Sequence, residues 1–136
     1  MASDEQKARI IILRTVLAEK TVTDLISNRF YPGGPGTFHV TQYPCANFRL
    51  GSGPVDPDLK QYKQPGLNIW VWSKRSYDED YKIYDAIFAV LHNQRLTLDD
   101  RVVVCKADST PIEAFEPAEN TFYLNASWGI RILNHS

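Results

Sequence analysis

The feature that most limits the fold of this chain is a strict alternation of apolar and polar residues near its C-terminus. Apolar side chains fill every second position, as Phe122, Leu124, Ala126, Trp128, Ile130 and Ile132. Successive side chains of a β-strand point to opposite faces of the sheet, so this period of two predicts a strand with one buried face. The predicted strand covers eleven residues, whereas five or six are usual.

A second strand is predicted at residues 67–72, where two kinds of apolar side chain alternate. One face is aliphatic and carries Leu67, Ile69 and Val71. The other face carries Asn68, Trp70 and Trp72. We expect the aliphatic face to lie against helices, and the indole face, extended by Tyr123, to meet a partner or stay partly wet. Further strands are predicted at residues 45–50 and 101–106, where β-forming residues lie between turn signals.

Three helices are predicted from apolar side chains at helical spacing. One helix is predicted to start at a capping box formed by Ser76 and Glu79, with two further acids that suit the positive helix end, and to end near Leu91 with His92 in its last turn. Residues 4–19 predict an N-terminal helix after a weaker capping box at Ser3, although the apolar run at 10–13 is also compatible with a strand. A short helix is predicted to begin at Thr21 and to end before Phe30.

The segments between these elements are rich in proline and glycine. Residues 31–36 and 51–66 contain breakers that exclude regular structure, and two loops of this length are unusual in a small domain. Residues 99–100 predict a turn, and residues 107–118 a polar connection with two prolines. The order helix, helix, strand, strand, helix, strand, strand predicts an α+β fold, a mostly antiparallel sheet with helices packed on one face and two long loops.

Length and charge narrow the class of protein. The 136 residues suit one domain over residues 1–136, since two separate cores would each be too small. Fifteen basic and sixteen acidic residues give a net charge of −1. The chain therefore lacks the basic excess of proteins that bind nucleic acid through its phosphates, although the total charge does not exclude a local basic strip. We expect no membrane span and no secretory signal. Cys45 and Cys105 are expected to be buried and reduced, as in a cytoplasm.

Little in the sequence points to catalysis or to a cofactor. His39, His92 and His135 have no metal-ligand spacing, and the glycines at residues 33–36 lack the motif of a phosphate loop. Cys45 with His39 is the one nucleophile and base worth naming, and no local motif supports it. We therefore expect no enzyme, no metal and no cofactor. A ligand pocket at Trp70 and Trp72 remains a remote alternative.

One connecting segment mixes basic and aromatic residues. Residues 58–64 include Lys60, Tyr62 and Lys63, which suit contact with nucleic acid by charge and stacking. An ordinary solvated loop explains the same composition better than a nucleic-acid contact does. A loop that binds another protein is the third interpretation, ranked between these two.

Several motifs, spread over residues 17–132, resemble one family. They are the short helix running into Arg29-Phe30-Tyr31-Pro32, the strand entered through Pro44, the strand ending in Val71-Trp72-Ser73 with the helix that follows Tyr77, and the long closing strand. Together they resemble the tail-completion or tail-terminator proteins of long-tailed bacteriophages, which act in head–tail joining.

The resemblance implies a structural virion protein at the head–tail junction, assembled in the host cytoplasm. It implies a homohexameric ring that caps the tail tube, joins the head connector and lets DNA pass through its lumen. An adjacent neck or head-closure protein, or the tube subunit itself, is the alternative. The residues expected to contact other copies or partners are aromatic or lie in the loops: Phe38, Tyr43, Tyr62, Lys63, Trp70 and Trp72.

Overall fold

The computed structural model describes residues 4–34, 42–51, 66–98 and 101–134. Three helices occur in these ranges: α1 (Asp4–Leu17), α2 (Lys20–Ile26) and α3 (Tyr77–Leu91). Seven strands are described with them: β1 (Phe30–Pro32), β2 (Cys45–Leu50), β3 (Gly66–Ser73), β4 (Arg95–Leu98), β5 (Arg101–Ala107), β6 (Ile112–Glu116) and β7 (Thr121–Asn134). Within these ranges, no helix has the length and apolar character needed to cross a bilayer.

The strands form one sheet organised by β7. The strand order is β1-β2-β3-β7-β5-β4, and β6 pairs with the N-terminal half of β7, in line with β5. Every pairing is antiparallel except that of β1 with β2, which is parallel. The predicted α+β fold with a mostly antiparallel sheet is therefore confirmed.

The core lies between the helices and one face of this sheet. The predicted apolar face of β7 is buried from Leu124 to Ile132, and the aliphatic face of β3 is buried with it. Trp128 is buried in this core, where its Nε1 donates to the Tyr84 hydroxyl at 3.0 Å and its rings meet Tyr84 and Phe88 edge-on. The helices thus cover the aliphatic side, as the alternation predicted.

The start of α3 is held to the end of β3 by three side chains. Ser76 caps the helix, and its hydroxyl accepts from the Glu79 amide at 3.1 Å, as the capping box predicts. The Glu79 carboxylate does not complete the box. It accepts instead from the Ser73 hydroxyl at 2.5 Å, so the last residue of β3 fixes the helix that follows.

Three strands were missed by the sequence analysis. β1 lies inside the segment expected to be irregular, and β6 inside the expected polar connection. β4 was not predicted at all. Each is short and pairs along one edge only, so tertiary partners rather than local pattern define it. Pro32 is tolerated because β1 is an edge strand.

The helix boundaries also differ from the expectation. The run at residues 10–13 is helical, but α1 ends at Leu17 rather than at residue 19. α2 already includes Lys20, where an interruption was predicted. The proposed cap at Ser3, the turn at residues 99–100, residues 35–36 of the first loop and residues 52–65 of the second loop lie outside the described residues.

The Tyr84–Trp128 hydrogen bond provides a test of this core. We expect Tyr84→Phe to lower the free energy of unfolding by about 1–3 kcal/mol, because the buried indole N–H loses its acceptor. Urea denaturation measures the change. Tyr77→Phe on the same helix is the control. The Tyr77 ring packs edge-on against Phe122, and this ring contact does not involve the Tyr77 hydroxyl group. Equal losses in both variants would contradict a special role for the buried pair.

Candidate partner-binding surface

Trp70 and Trp72 lie on the face of the sheet that turns away from the helices. Trp70 stands between Asn47 of β2 and Asn125 of β7 and is only 9% exposed, while Trp72 is half-buried. The strand positions agree with the predicted indole face. Their predicted contact with another chain stays a prediction.

Trp72 is held in a fixed position by its own chain. Its Nε1 donates to Asn47 Oδ1 at 2.6 Å, and Asn47 in turn donates to the Gly33 carbonyl at 2.8 Å. The indole also stacks on Tyr123, with ring centroids 4.5 Å apart. We call Trp70, Trp72 and Tyr123 the aromatic patch. A surface fixed in this way loses little side-chain entropy when it meets a partner.

Tyr43 lies just before the start of β2, at the same end of the sheet as Trp72. It precedes Cys45 by two residues, and Cys45 pairs with Trp72 across the strands. The Lys74 ammonium group lies 5.2 Å from the centre of the Tyr43 ring, a cation–π geometry. Burial raises the pKa of the Tyr43 hydroxyl, helped by Cys45 and Glu119, so this hydroxyl stays protonated.

A groove of about 630 Å³ runs beside Tyr43. It is lined by charged and apolar side chains, namely Leu25, Tyr43, Pro44, Lys74, Arg75, Glu79 and Glu119. A second groove of about 540 Å³ borders Trp128 and includes Lys106, Asp108 and Arg131. Neither Trp70 nor Trp72 lines either of these two grooves. Phe38, Tyr62 and Lys63 lie outside the described residues.

Among the described residues, the two most exposed large apolar side chains lie on β6, where no strand was predicted. Ile112 is 68% exposed and Phe115 is 43% exposed, on opposite faces of this strand. Beside Ile112, the Asn125 Oδ1 atom is buried without a hydrogen-bond partner. The available signal was the pair of β-forming residues Ile112 and Phe115, and the two prolines that flank this segment at Pro111 and Pro117 argued against a strand.

Neither the described cysteines nor the described histidine forms a reactive site. Burial raises the pKa of Cys45 to about 12, so its thiol is protonated at neutral pH and is a poor nucleophile. Burial has the same effect on Cys105. His92 stacks on Phe88, and its Nδ1 accepts from the Ala107 amide at 3.1 Å, which fixes a structural role. His39 lies outside the described residues, and within them no three acids, cysteines or histidines form a metal cluster.

Asp80 has a different environment from the one that the sequence predicts. The helix dipole accounts for acids in the first turn of α3, yet Asp80 is fully buried and neither of its carboxyl oxygens has a hydrogen-bond partner. Burial raises its pKa from 3.8 to about 8, and the neighbouring Glu79 adds to the shift. The sequence did contain a signal for this burial, because Asp80 lies on the same helical stripe as the buried residues Ile83, Tyr84 and Ile87.

Comparison with known proteins gives a fold and no family. No protein-family model matches this sequence, and no curated protein matches it. Among solved structures, the chain is similar to one from the virion of a native gene transfer agent (GTA) particle. The TM-score is 0.71 at 11% identity, and the match covers 93% of this chain and 94% of that one. The likeness shows that both chains share this fold over nearly their whole lengths.

The buried carboxyl of Asp80 predicts an unusual dependence of stability on pH. The folded chain keeps this proton up to about pH 8, whereas the unfolded chain releases it near its ordinary value of 3.8. The folded state thus binds more protons between these values, so the contribution of Asp80 to stability is full below pH 4 and declines as the pH rises to 8. The decline is at most about 1.4 kcal/mol per pH unit.

We therefore expect Asp80→Asn to reduce the slope of unfolding free energy against pH, measured by urea denaturation between pH 5 and pH 8. Asp78→Asn is the matched control, because Asp78 is exposed on the same helical turn. If wild type and Asp80→Asn lose stability in parallel over this range, the carboxyl is not buried as described.

Proposed function

We propose that this chain is a structural protein of a phage-like virion, located at the head-proximal end of the tail. There it stops polymerisation of the tail tube and offers a joining surface to the head connector. The observation that carries the proposal is the shared fold with a chain of the gene transfer agent virion, at 93% and 94% coverage. The sequence resemblance to tail-terminator proteins supports the more specific position.

The motif that carries this resemblance has separate roles in packing and in contact. Val71 is buried against the helices, Ser73 binds Glu79 and fixes the start of α3, and Trp72 joins the aromatic patch on the opposite face. The same three residues therefore hold the strand–helix unit together and present a side chain for contact. This division supports a role for the outer face in binding.

The chemistry of the described residues favours assembly over catalysis. The Cys45 thiol is protonated, and the His92 ring is used in packing and hydrogen bonding. A net charge of −1 suits a ring whose lumen lets DNA pass without gripping its phosphates. The partners in this proposal are further copies of the chain in a homohexamer, the tail-tube protein and the head-connector protein, with assembly in the host cytoplasm.

Electron microscopy of particles labelled with gold-coupled antibody against this chain tests the proposal. We expect label only at the head–tail junction, and we expect deletion of the gene to give tails of irregular length that do not join heads. Label along the whole tail would assign the chain to the tube subunit. Deletion mutants that retain normal tail length but lack joined heads would assign it to head closure. Particles without label would refute a virion role.

The aromatic patch gives a prediction at the level of one residue. We expect Trp72→Ala to reduce the yield of joined particles by about 30-fold or more when it complements the deletion, since a central interface aromatic contributes about 2 kcal/mol or more. Ile10→Ala is the control, because Ile10 is an exposed apolar residue of α1. Thermal denaturation of both variants must show folded protein. Normal particle yield from folded Trp72→Ala would remove the patch from the interface.

A further inference from the structure

Two edges of the sheet lie at the same level, at the two ends of a row of five strands. The registers of the strand pairs connect one row of residues from edge to edge: Phe30, Ala46, Val71, Leu124 and Glu113. The next row begins at Tyr31 and ends at Ile112. β1 and β6 therefore border the same part of the sheet on opposite sides. A second copy displaced along this row would bring its β1 beside the β6 of the first.

The edge at β6 is apolar and acidic. Ile112 and Phe115 are exposed, and Glu113, Glu116 and Glu119 follow one another along this strand and the turn after it. Two of these carboxylates are already oriented: Tyr81 bonds to Glu113, and Glu116 accepts from the Ala118 amide at 2.9 Å. This edge thus combines exposed apolar side chains, whose burial would be favourable, with carboxylates that are held in position.

The edge at β1 is basic. Arg9 of α1 and Arg49 of β2 flank a groove of about 200 Å³ whose other walls are Pro32, Gly33 and Leu50. Both arginines are exposed, and neither forms an ion pair with another of the described residues. The Arg49 stem passes close to Gly34, where an added side chain would meet its Cδ at 3.3 Å. Gly34 therefore leaves room for the arginine to lie along this edge.

We propose that the β6 edge of one copy binds the β1 edge of the next, so that Glu113 and Glu116 face Arg9 and Arg49. This inference rests on the proposed function, since it supplies the contact between neighbours in the ring. Because opposite edges of one sheet meet, the contact is head-to-tail, and its repetition closes a ring where the rotation permits. Arginine suits the contact because its guanidinium can bind a carboxylate through two hydrogen bonds.

The strand directions are compatible with this arrangement. β1 runs parallel to β2, and the three antiparallel pairings from β2 to β6 reverse the direction three times. β1 and β6 thus run in opposite directions, and a pair formed between copies would be antiparallel. β1 has three residues, and Pro32 lacks an amide hydrogen, so few backbone bonds can form. Charge and the burial of Ile112 and Phe115 must supply most of the contact.

Cysteine cross-linking tests the contact without removing its charges. Pro32→Cys and Ile112→Cys are placed on the two edges, at exposed positions, while the native Cys45 and Cys105 are fully buried. We expect a short bismaleimide to join the two variants when they are mixed and to join neither variant to itself. Particles carrying both substitutions in each chain should give a ladder of products up to six chains. Ala89→Cys, exposed on α3, sets the background.

A charge reversal makes the test specific. In the same cysteine background, Glu113→Lys with Glu116→Lys should reduce cross-linking at least tenfold, and a partner that carries Arg9→Glu with Arg49→Glu should restore it. Ile112→Cys linking to itself would indicate a two-fold symmetric contact and overturn the proposal. If the Pro32→Cys and Ile112→Cys variants cross-link no more than Ala89→Cys does, while particles still carry gold label at the junction, this contact is wrong and the virion function stands. If the protein forms the cross-linked ladder but is absent from particles, the contact stands and the virion function is wrong.

Discussion

The pairing of β7 on both of its edges is the constraint on which the rest of the structure depends. This strand binds β3 along one edge and both β5 and β6 along the other. Its inner face supplies Leu124, Trp128 and other core residues, and its outer face supplies Tyr123. A shift of one residue in register would turn every side chain to the opposite face. The core and the aromatic patch therefore depend on the same register.

At the junction between β3 and α3, neighbouring polar side chains differ in whether they have hydrogen-bond partners. Ser73, Ser76 and Glu79 satisfy one another and fix the angle at which the helix leaves the sheet. Asp80, next in sequence, is buried without a hydrogen-bond partner, and it stays protonated at neutral pH because ionisation in an apolar site is too costly. Asp80 therefore contributes least to the stability of the fold at a pH where its carboxyl group is ionised.

The edges of the sheet connect stability with assembly. Exposed edge strands invite pairing with other chains, and proteins limit this with short strands, proline and charge. β1 is short and contains Pro32, and β6 carries Glu113 and Glu116. These features discourage indiscriminate pairing. In the proposed ring the acids also select a neighbour, because the basic edge of a second copy is the complementary surface.

The sequence by itself determined the parts of the fold whose pattern is long and local. The alternation in β7, the two faces of β3 and the stripe and Ser76 cap of α3 all have the periods that buried elements require. It did not determine β1, β4 or β6, which are short edge strands stabilised by partners distant in the chain. It placed Trp70 and Trp72 on one face, but only the tertiary structure showed Asn47 and Tyr123 holding Trp72. Likewise, the burial of Asp80 and the opposite charges of two edges arise from residues that folding brings together, and no local period encodes such contacts.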